Sequence, residues 1–289
     1  MKRLAFVLSA LLLYFLTVTS LSSHLQERPV RVKLGYTPDA ALLKAVSGDQ
    51  RFLVAELEIV RVLFYFGTVL QQWQQKVSLA PEYRNMFETL QTALGLDPYN
   101  SDAYYFAQAA FTWEVGRIRE VNNMLDYGMR YRTWDWSLPF YAGFNSAYFL
   151  QDYEQAARYM EKAAAISGNT MFTNLAARYF YEAGSSRLGV AFLDTMIKQA
   201  RDPQVKRLYT MRKEALHAVL EIETAVEQYR DRFGRLPQSL QALLQEGFLK
   251  KFPPDPYGGR FYLDQTGRVR STSAFSKPQL GEESELPGK

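Results

Sequence analysis

The sequence predicts a mainly α-helical fold, in which antiparallel helix pairs stack into a solenoid that is followed by a small C-terminal α+β module. Three observations predict it. Residues 152–163 place Ala156, Tyr159, Met160 and Ala163 at i, i+3, i+4 and i+7, which is one face of a helix. The position of a small residue that packs one helix against the next recurs at intervals of about 34 residues. Near the C-terminus, turn-forming residues are followed by a short hairpin pattern.

The composition indicates a folded chain and excludes some classes of partner and of chemical site. With 289 residues, of which 47% are hydrophobic and 15% aromatic, the chain can bury a large core and more than one domain is expected. The 34 basic and 30 acidic residues are interspersed, which predicts a mixed-charge surface and no nucleic-acid partner. Cysteine is absent, which excludes disulfides, thiolate metal sites and cysteine nucleophiles.

The first residues have the pattern of an export signal. Lys2 and Arg3 precede an apolar run over residues 4–18, and polar residues follow it. Residues 1–22 are therefore predicted to be either a cleaved signal peptide or a retained N-terminal anchor, which would insert into the membrane through residues 4–21. Either alternative places the remaining chain on the periplasmic side of the bacterial inner membrane or in the periplasm.

A linker is expected between this segment and the first long helix. Residues 23–49 contain Pro29, Gly35 and Pro38 among alternating charges, with a short strand as an option at residues 30–34.

The long helix is predicted over residues 52–77. Its apolar residues occupy nearly every face, so we expect burial on two sides around Leu57, Val60, Leu63 and Phe64. The charged residues within it favour a core helix over a second membrane span.

A helical array is predicted across residues 50–212. Ala93, Tyr127, Ala163 and Thr195 recur at intervals of 34, 36 and 32 residues. Asp-Pro pairs at residues 97–98 and 202–203 fall where a repeat ends, because proline cannot continue a preceding helix but favours the start of the next one. Leu188 stands where a small residue is expected. The pattern predicts three to four divergent helix pairs.

One repeat carries a family resemblance. Asp152 and Tyr153 form the turn before Ala156 and Ala163, and this order resembles the second helix of a tetratricopeptide (TPR) repeat, with Gln151 in place of the usual glycine. The resemblance implies a concave groove, lined by the first helix of each pair, that receives an extended peptide or a partner helix.

The predicted groove follows from helix starts at Ser101, Ser137 and Asn169. Its expected partner-binding residues are Tyr105, Trp113, Tyr141, Asn145, Tyr148, Asn174 and Phe180. Asparagines at such positions hold a peptide backbone in some TPR domains. The alternative is that the rings are core residues, because an aromatic stripe at helical spacing is more often packing than a ligand site.

The C-terminal module is predicted over residues 213–275. A helix over residues 213–233 ends at Gly234, and a short helix follows from Pro237 to Gly247. After the turn-rich FPPDPYGG, two short strands are expected to form a hairpin, and residues 276–289 are expected to be a disordered tail.

The module has an ordered set of turn-forming, aromatic and leucine residues, namely Tyr229, Gly234, Pro237, Leu240, Leu243, Gly247, Pro254, Asp255, Pro256, Tyr257, Gly258, Tyr262 and Ser273. This order resembles the globular part of type II secretion major pseudopilins, which implies packing beside a component of such an apparatus. Tyr257 replaces the usual tryptophan, and the N-terminal segment lacks a prepilin cleavage box.

No catalytic constellation is found in the sequence. His24 and His217 are the two histidines, and neither belongs to a metal or catalytic motif. Asp255 is expected to cap a turn and not to ligate a metal. We therefore predict a non-enzymatic envelope scaffold without cofactor or metal, which binds a protein or peptide in the assembly of a secretion, pilus-like or other surface system. An exported hydrolase or polysaccharide-processing enzyme without a recognisable motif, and a purely structural component, are the alternatives.

Overall fold

A computed structural model describes residues 10, 11, 13–15, 17–19, 21, 22, 33–74 and 80–275 of the chain. The described part is mainly helical, with one two-stranded antiparallel sheet near the C-terminus, which confirms the predicted secondary-structure class. The chain divides into two compact units, Met1–Thr92 and Ala93–Lys289.

The helices and strands have the following bounds. From the N-terminus the elements are α1 (Ala40–Ser47), a 3₁₀ turn (Gly48–Gln50), α2 (Arg51–Gln74), α3 (Tyr83–Leu96), α4 (Ser101–Trp113), α5 (Ile118–Tyr131), α6 (Ser137–Tyr148), α7 (Tyr153–Ser167), α8 (Thr170–Glu182), α9 (Ser186–Gln199), α10 (Pro203–Phe233), α11 (Leu240–Gln245), β1 (Phe261–Leu263) and β2 (Val269–Ser271). Within the described residues, no helix combines the length and the apolar character that a membrane span requires.

Several predictions lie wholly or partly outside the described residues. These are the signal peptide or anchor at residues 1–22, the linker at residues 23–49 with its optional strand at residues 30–34, the end of the long helix at residues 75–77 and the tail at residues 276–289. Of the optional strand, residues 33 and 34 are described, and they have no regular secondary structure.

The predicted burial of α2 on two sides is wrong. Leu57 and Phe64 are 58% and 74% exposed, and Leu63 is exposed as well. The buried residues are instead Ala55, Ile59, Val62, Tyr65 and Val69. They follow i, i+4, i+7, i+10 and i+14, so the helix buries one face only. Apolar residues on nearly all faces suggested wider burial than the packing provides.

The described part of the predicted linker packs against helices of the first unit. Leu34 and Thr37 are buried. The Thr37 hydroxyl lies 2.7 Å from that of Thr89, and the Arg61 guanidinium donates to it. Arg61 also pairs with Glu58 at 2.7 Å. This segment is therefore held by hydrogen bonds and burial.

The second unit begins with an ordered succession of helices. From α4 to α10, each helix packs against the next one along the chain. The predicted starts at Ser101 and Ser137 are confirmed, and Asn169 is the N-cap of α8, where its side chain accepts a hydrogen bond from the Met171 amide. Asp202 likewise caps α10. Short polar side chains at these starts satisfy free amides of the first turn.

The recurring small position lies one residue later than predicted in α5. Ala93 and Ala163 are fully buried as expected, but Tyr127 is only half-buried. The buried residue is its neighbour Gly128, where a Cβ atom would lie 2.6 Å from the ring of Tyr104. Glycine therefore permits a contact that any larger residue would block.

The same one-residue shift occurs in α9. Thr195 and Leu188 are both exposed, so neither is the packing residue that the spacing predicts. Gly189 is buried instead, and a Cβ atom there would lie 2.7 Å from Leu216 and 3.0 Å from Phe180. A small residue that packs against neighbouring helices is therefore present one position after Leu188.

The C-terminal hairpin shares a core with the last helices of the array. The helix predicted from residue 213 begins ten residues earlier, at Pro203, and ends at Gly234, whose φ of 70° closes it as predicted. The short helix begins at Leu240 and not at Pro237. In the hairpin, Phe261 pairs with Ser271. One buried cluster includes residues from α8 to α11, the hairpin and the segment after it, namely Ala177, Tyr181, Leu216, Ile222, Tyr229, Leu243, Tyr257, Val269 and Phe275.

Candidate functional site

Four aromatic side chains form a cluster of two exposed and two half-buried rings on α4, on α6 and just after α6. This ring cluster consists of Trp113, Phe144, Tyr148 and Phe149. The Trp113 ring centroid lies 5.0 Å from that of Phe149 and 5.9 Å from that of Tyr148, and the Phe144 and Tyr148 rings stack at 5.3 Å. Trp113 is nevertheless 56% exposed and Tyr148 59% exposed. The cluster thus presents an apolar surface outside the core.

Tyr105 and Tyr141 are two further aromatic residues of the same two helices. Tyr105 is 63% exposed, and Tyr141 is half-buried. Burial raises the pKa of Tyr141, and the neighbouring Tyr105 phenol and Asp135 carboxylate raise it further. Because Tyr105 acts on Tyr141 electrostatically, these two predicted groove residues are near one another.

A cleft of about 340 Å³ lies between α6 and α8, beside the ring cluster. Its lining includes Phe144, Tyr148, Gln151, Leu175 and Arg178. The cleft therefore continues the aromatic surface from α6 towards α8.

The turn beside this cleft has Gln151 at a left-handed position that favours glycine, and the hydrogen bonds of its side chain stabilise the turn. The φ of Gln151 is 54°, in the left-handed region. Its side-chain amide donates to the carbonyls of Ala147 and Tyr148 at 3.2 and 3.1 Å, and its carbonyl accepts from the Tyr153 hydroxyl at 2.6 Å. These hydrogen bonds satisfy free carbonyls at the end of α6 and offset the backbone strain.

Asn145, a predicted groove residue, lies inside the core instead. Its side chain is fully buried and exchanges two hydrogen bonds with Gln108, at 2.8 and 2.9 Å. It donates a third to Asn122 at 2.9 Å, and Asn122 donates to Ser146 at 3.3 Å. This amide network joins α4, α5 and α6. Because its three side-chain hydrogen bonds go to Gln108 and Asn122 inside the protein, the buried Asn145 amide is not presented to a peptide.

Phe180 and Asn174 also differ from the predicted arrangement. Phe180 is 2% exposed and packs against Phe192 at a centroid distance of 6.2 Å, so it is a core residue. Asn174 is half-buried and lines a second cleft together with Arg178. Of the seven predicted residues, Trp113 and Tyr148 therefore belong to the ring cluster, Tyr105 and Tyr141 lie near one another on the same two helices, and Asn174 lines the second cleft.

Three surface residues were missed by the sequence reasoning. Phe144 lies three residues after Tyr141 and four before Tyr148, so helical spacing could have identified it. Phe149 follows the helix end, and Arg178 lines both clefts. Neither of these two has a sequence signal that points to the site.

Asp255 stabilises the turn before the hairpin. Its carboxylate accepts from the Tyr257 amide at 2.8 Å and from the Ser273 hydroxyl at 2.7 Å, and it also accepts from the Ser271 hydroxyl. The expected turn-capping role is confirmed. Throughout the described ranges, no group of three or more histidine or acidic side chains is arranged to hold a metal ion.

No family model, no curated protein and no solved structure matches the chain.

Proposed function

We propose that the chain is a non-enzymatic scaffold of the bacterial cell envelope that binds a protein or peptide partner on the ring cluster. The observation that carries the proposal is the exposure of Trp113 and Tyr148 within one group of mutually contacting rings. Large aromatic side chains that are exposed to water as a group do not gain the free energy of burial. They are also the residue types that contribute most of the binding free energy at protein interfaces.

The proposed architecture is a TPR-like solenoid whose first helices line a groove. The consecutive packing from α4 to α10 supports it, as do the two close helix contacts at Gly128 and Gly189. The buried pair Ala156 and Gly189 is separated by 33 residues, and Gly128 and Ala163 by 35, which are near the TPR period. The exposed rings of α4 and α6 belong to the helices that begin these repeats.

The proposed setting is the assembly of a secretion, pilus-like or other surface system. The export-signal pattern of residues 1–22 supports a place on the periplasmic side, through either a cleaved signal or a retained anchor. The pseudopilin-like order of residues 229–273 supports packing beside a pilin-like component. The helix α11 and the hairpin occur in the order that this resemblance implies.

Affinity capture from detergent-solubilised envelopes tests the proposal. The full chain is expected to recover a stoichiometric protein partner, and Trp113→Ala combined with Tyr148→Ala is expected to lose it. Trp134→Ala is the matched control, because Trp134 is 61% exposed but belongs to a separate cluster with Tyr99. Equal recovery by the double variant, or recovery of the bait alone from the wild type, contradicts the proposal.

A further inference from the structure

We propose that the segment bound on the ring cluster carries acidic side chains where it reaches α8, so that the site recognises an apolar and acidic peptide. This inference rests on the proposed function and adds the chemical class of its partner. Its basis is a second cleft of about 410 Å³ between α8, α10 and the chain after β2. The lining residues are Thr170, Met171, Asn174, Leu175, Arg178, Arg212, Ala274 and Phe275.

The charge of this cleft has one sign. Arg178 and Arg212 both line it, and none of its lining residues is acidic. The first turn of α8 also lacks an acidic residue, so the positive end of that helix dipole is not neutralised from within the turn. An anionic group in the cleft would therefore be attracted by every charge that faces it.

Arg212 is held in place and still has a free donor. Its guanidinium donates to the Phe275 carbonyl at 3.2 Å and lies over the Tyr257 ring at 5.6 Å. Among the described residues, none accepts a hydrogen bond from its Nε, although that atom is buried. A buried donor without an acceptor is unfavourable, and a carboxylate oxygen is the kind of acceptor that it lacks.

The basic cleft adjoins the aromatic surface. Leu175 and Arg178 line both this cleft and the one that contains Phe144 and Tyr148. Glu182 lies in the aromatic cleft, but its carboxylate pairs with Arg270 at 2.6 Å, which lowers its repulsion of an anion. The two clefts thus form a surface that is aromatic at one end and basic at the other.

This arrangement favours a peptide over a free anion. An inorganic phosphate would reach the arginines and leave the rings uncovered. A peptide can place aromatic or aliphatic side chains on the rings and a glutamate or aspartate beside the arginines, several residues along. Arginine pairs with carboxylates in a two-pronged geometry, which adds direction to the contact.

Selection from a random peptide display library on the full chain tests this inference. We expect enrichment of sequences with aromatic or aliphatic residues followed or preceded by Asp or Glu. Binding of a selected synthetic peptide should weaken at least about tenfold in Arg178→Glu and on raising the salt concentration. Arg119→Glu is the matched control, because Arg119 is an exposed arginine of α5 that lines neither cleft, and it should leave binding unchanged.

The outcomes separate the two proposals. Selected peptides could require Trp113 and Tyr148 for binding, show no enrichment of Asp or Glu, and bind Arg178→Glu as tightly as the wild type. That result would contradict the acidic partner but would agree with binding on the ring cluster. Full competition by inorganic phosphate assigns the arginines to free anions and also overturns the inference. A library that yields no peptide sensitive to Trp113→Ala with Tyr148→Ala contradicts the binding function itself.

Discussion

Helices α4 and α6 each have a buried inner face, which is mainly apolar but includes amide side chains, and an outer face with exposed aromatic side chains. On their inner face, Gln108 and Asn145 are buried and bonded to each other. On the outer face, Tyr105, Trp113 and Tyr148 are more than half exposed. Buried amides fix the position of one helix against another because each donor and acceptor must find its partner. The inner face therefore determines folding, and the outer rings remain available for binding.

The largest effect is expected at the amide network. Asn145→Ala removes three buried hydrogen bonds, which leaves the Gln108 side-chain nitrogen and the Asn122 side-chain oxygen without their Asn145 partner, and should lower the free energy of unfolding by about 3 kcal/mol. Urea denaturation measures the loss. Asn123→Ala, at an exposed position of α5, is the control and should change stability by less than about 0.5 kcal/mol. Equal stabilities for the two variants would show that the inner face does not depend on the network.

Two glycine-to-alanine substitutions, one at a close contact between helices and one at a position that faces open space, test the same difference between packed and exposed faces. Gly128→Ala places a methyl group against the buried Tyr104 ring and should destabilise the second unit by about 1–3 kcal/mol. Gly67→Ala, in open space on α2, should stabilise by about 0.5–1 kcal/mol, because alanine favours the helix. Thermal unfolding of both variants checks the signs, and a stabilising Gly128→Ala would mean that the close contact is not made.

A half-buried carboxylate in α10 contrasts with the neutral amide network. Partial burial raises the pKa of Glu223 to about 7, above its ordinary value of 4.5. The nearby Ser186 hydroxyl opposes this shift, Glu227 adds to it, and Arg268 and Arg270 oppose it. Between these two pKa values the folded chain binds more protons than the unfolded chain. Stability is therefore expected to fall as the pH rises from about 4.5 to about 7.

Glu223→Gln tests that pH dependence. The free energy of unfolding of the wild type should fall by about 1–3 kcal/mol between those two pH values, and that of the variant should not. The variant should therefore be the more stable protein at pH 8. Glu221→Gln, at an exposed position of the same helix, should keep the wild-type profile. Urea denaturation across the pH range provides the comparison, and unchanged slopes in the Glu223 variant would contradict the assignment.

The smallest effect on stability is expected at the outer rings. Trp113→Ala combined with Tyr148→Ala should cost no more than about 2 kcal/mol, because both side chains are more than half exposed. Urea denaturation again measures it. A loss of about 4 kcal/mol or more would place these rings in the core and would remove the contrast between the two faces.

Local signals allowed much of the fold to be predicted. The starts at Ser101 and Ser137 and the end at Gly234 each follow from the preferences of one or two residues. The shift from Tyr127 to Gly128 could not be predicted in this way. It depends on where the Tyr104 ring lies on a neighbouring helix.

The candidate site was predicted less well, for a related reason. Spacing places Asn145 and Tyr148 on one helix but does not show which of them faces the neighbouring helices. Asn145 faces inward because Gln108 and Asn122 provide matching partners from two other helices. Arg212 was missed because its cleft is completed by the chain after β2, which is distant in sequence.

Site-specific photocrosslinking in cells tests the central claim most directly. A photoreactive phenylalanine analogue in place of Tyr148 should give a discrete adduct with one envelope protein, because a partner covers the ring cluster. The same analogue in place of Trp134, which is equally exposed, should give none. No adduct from position 148, or the same adduct from both positions, would contradict a binding surface formed by these rings.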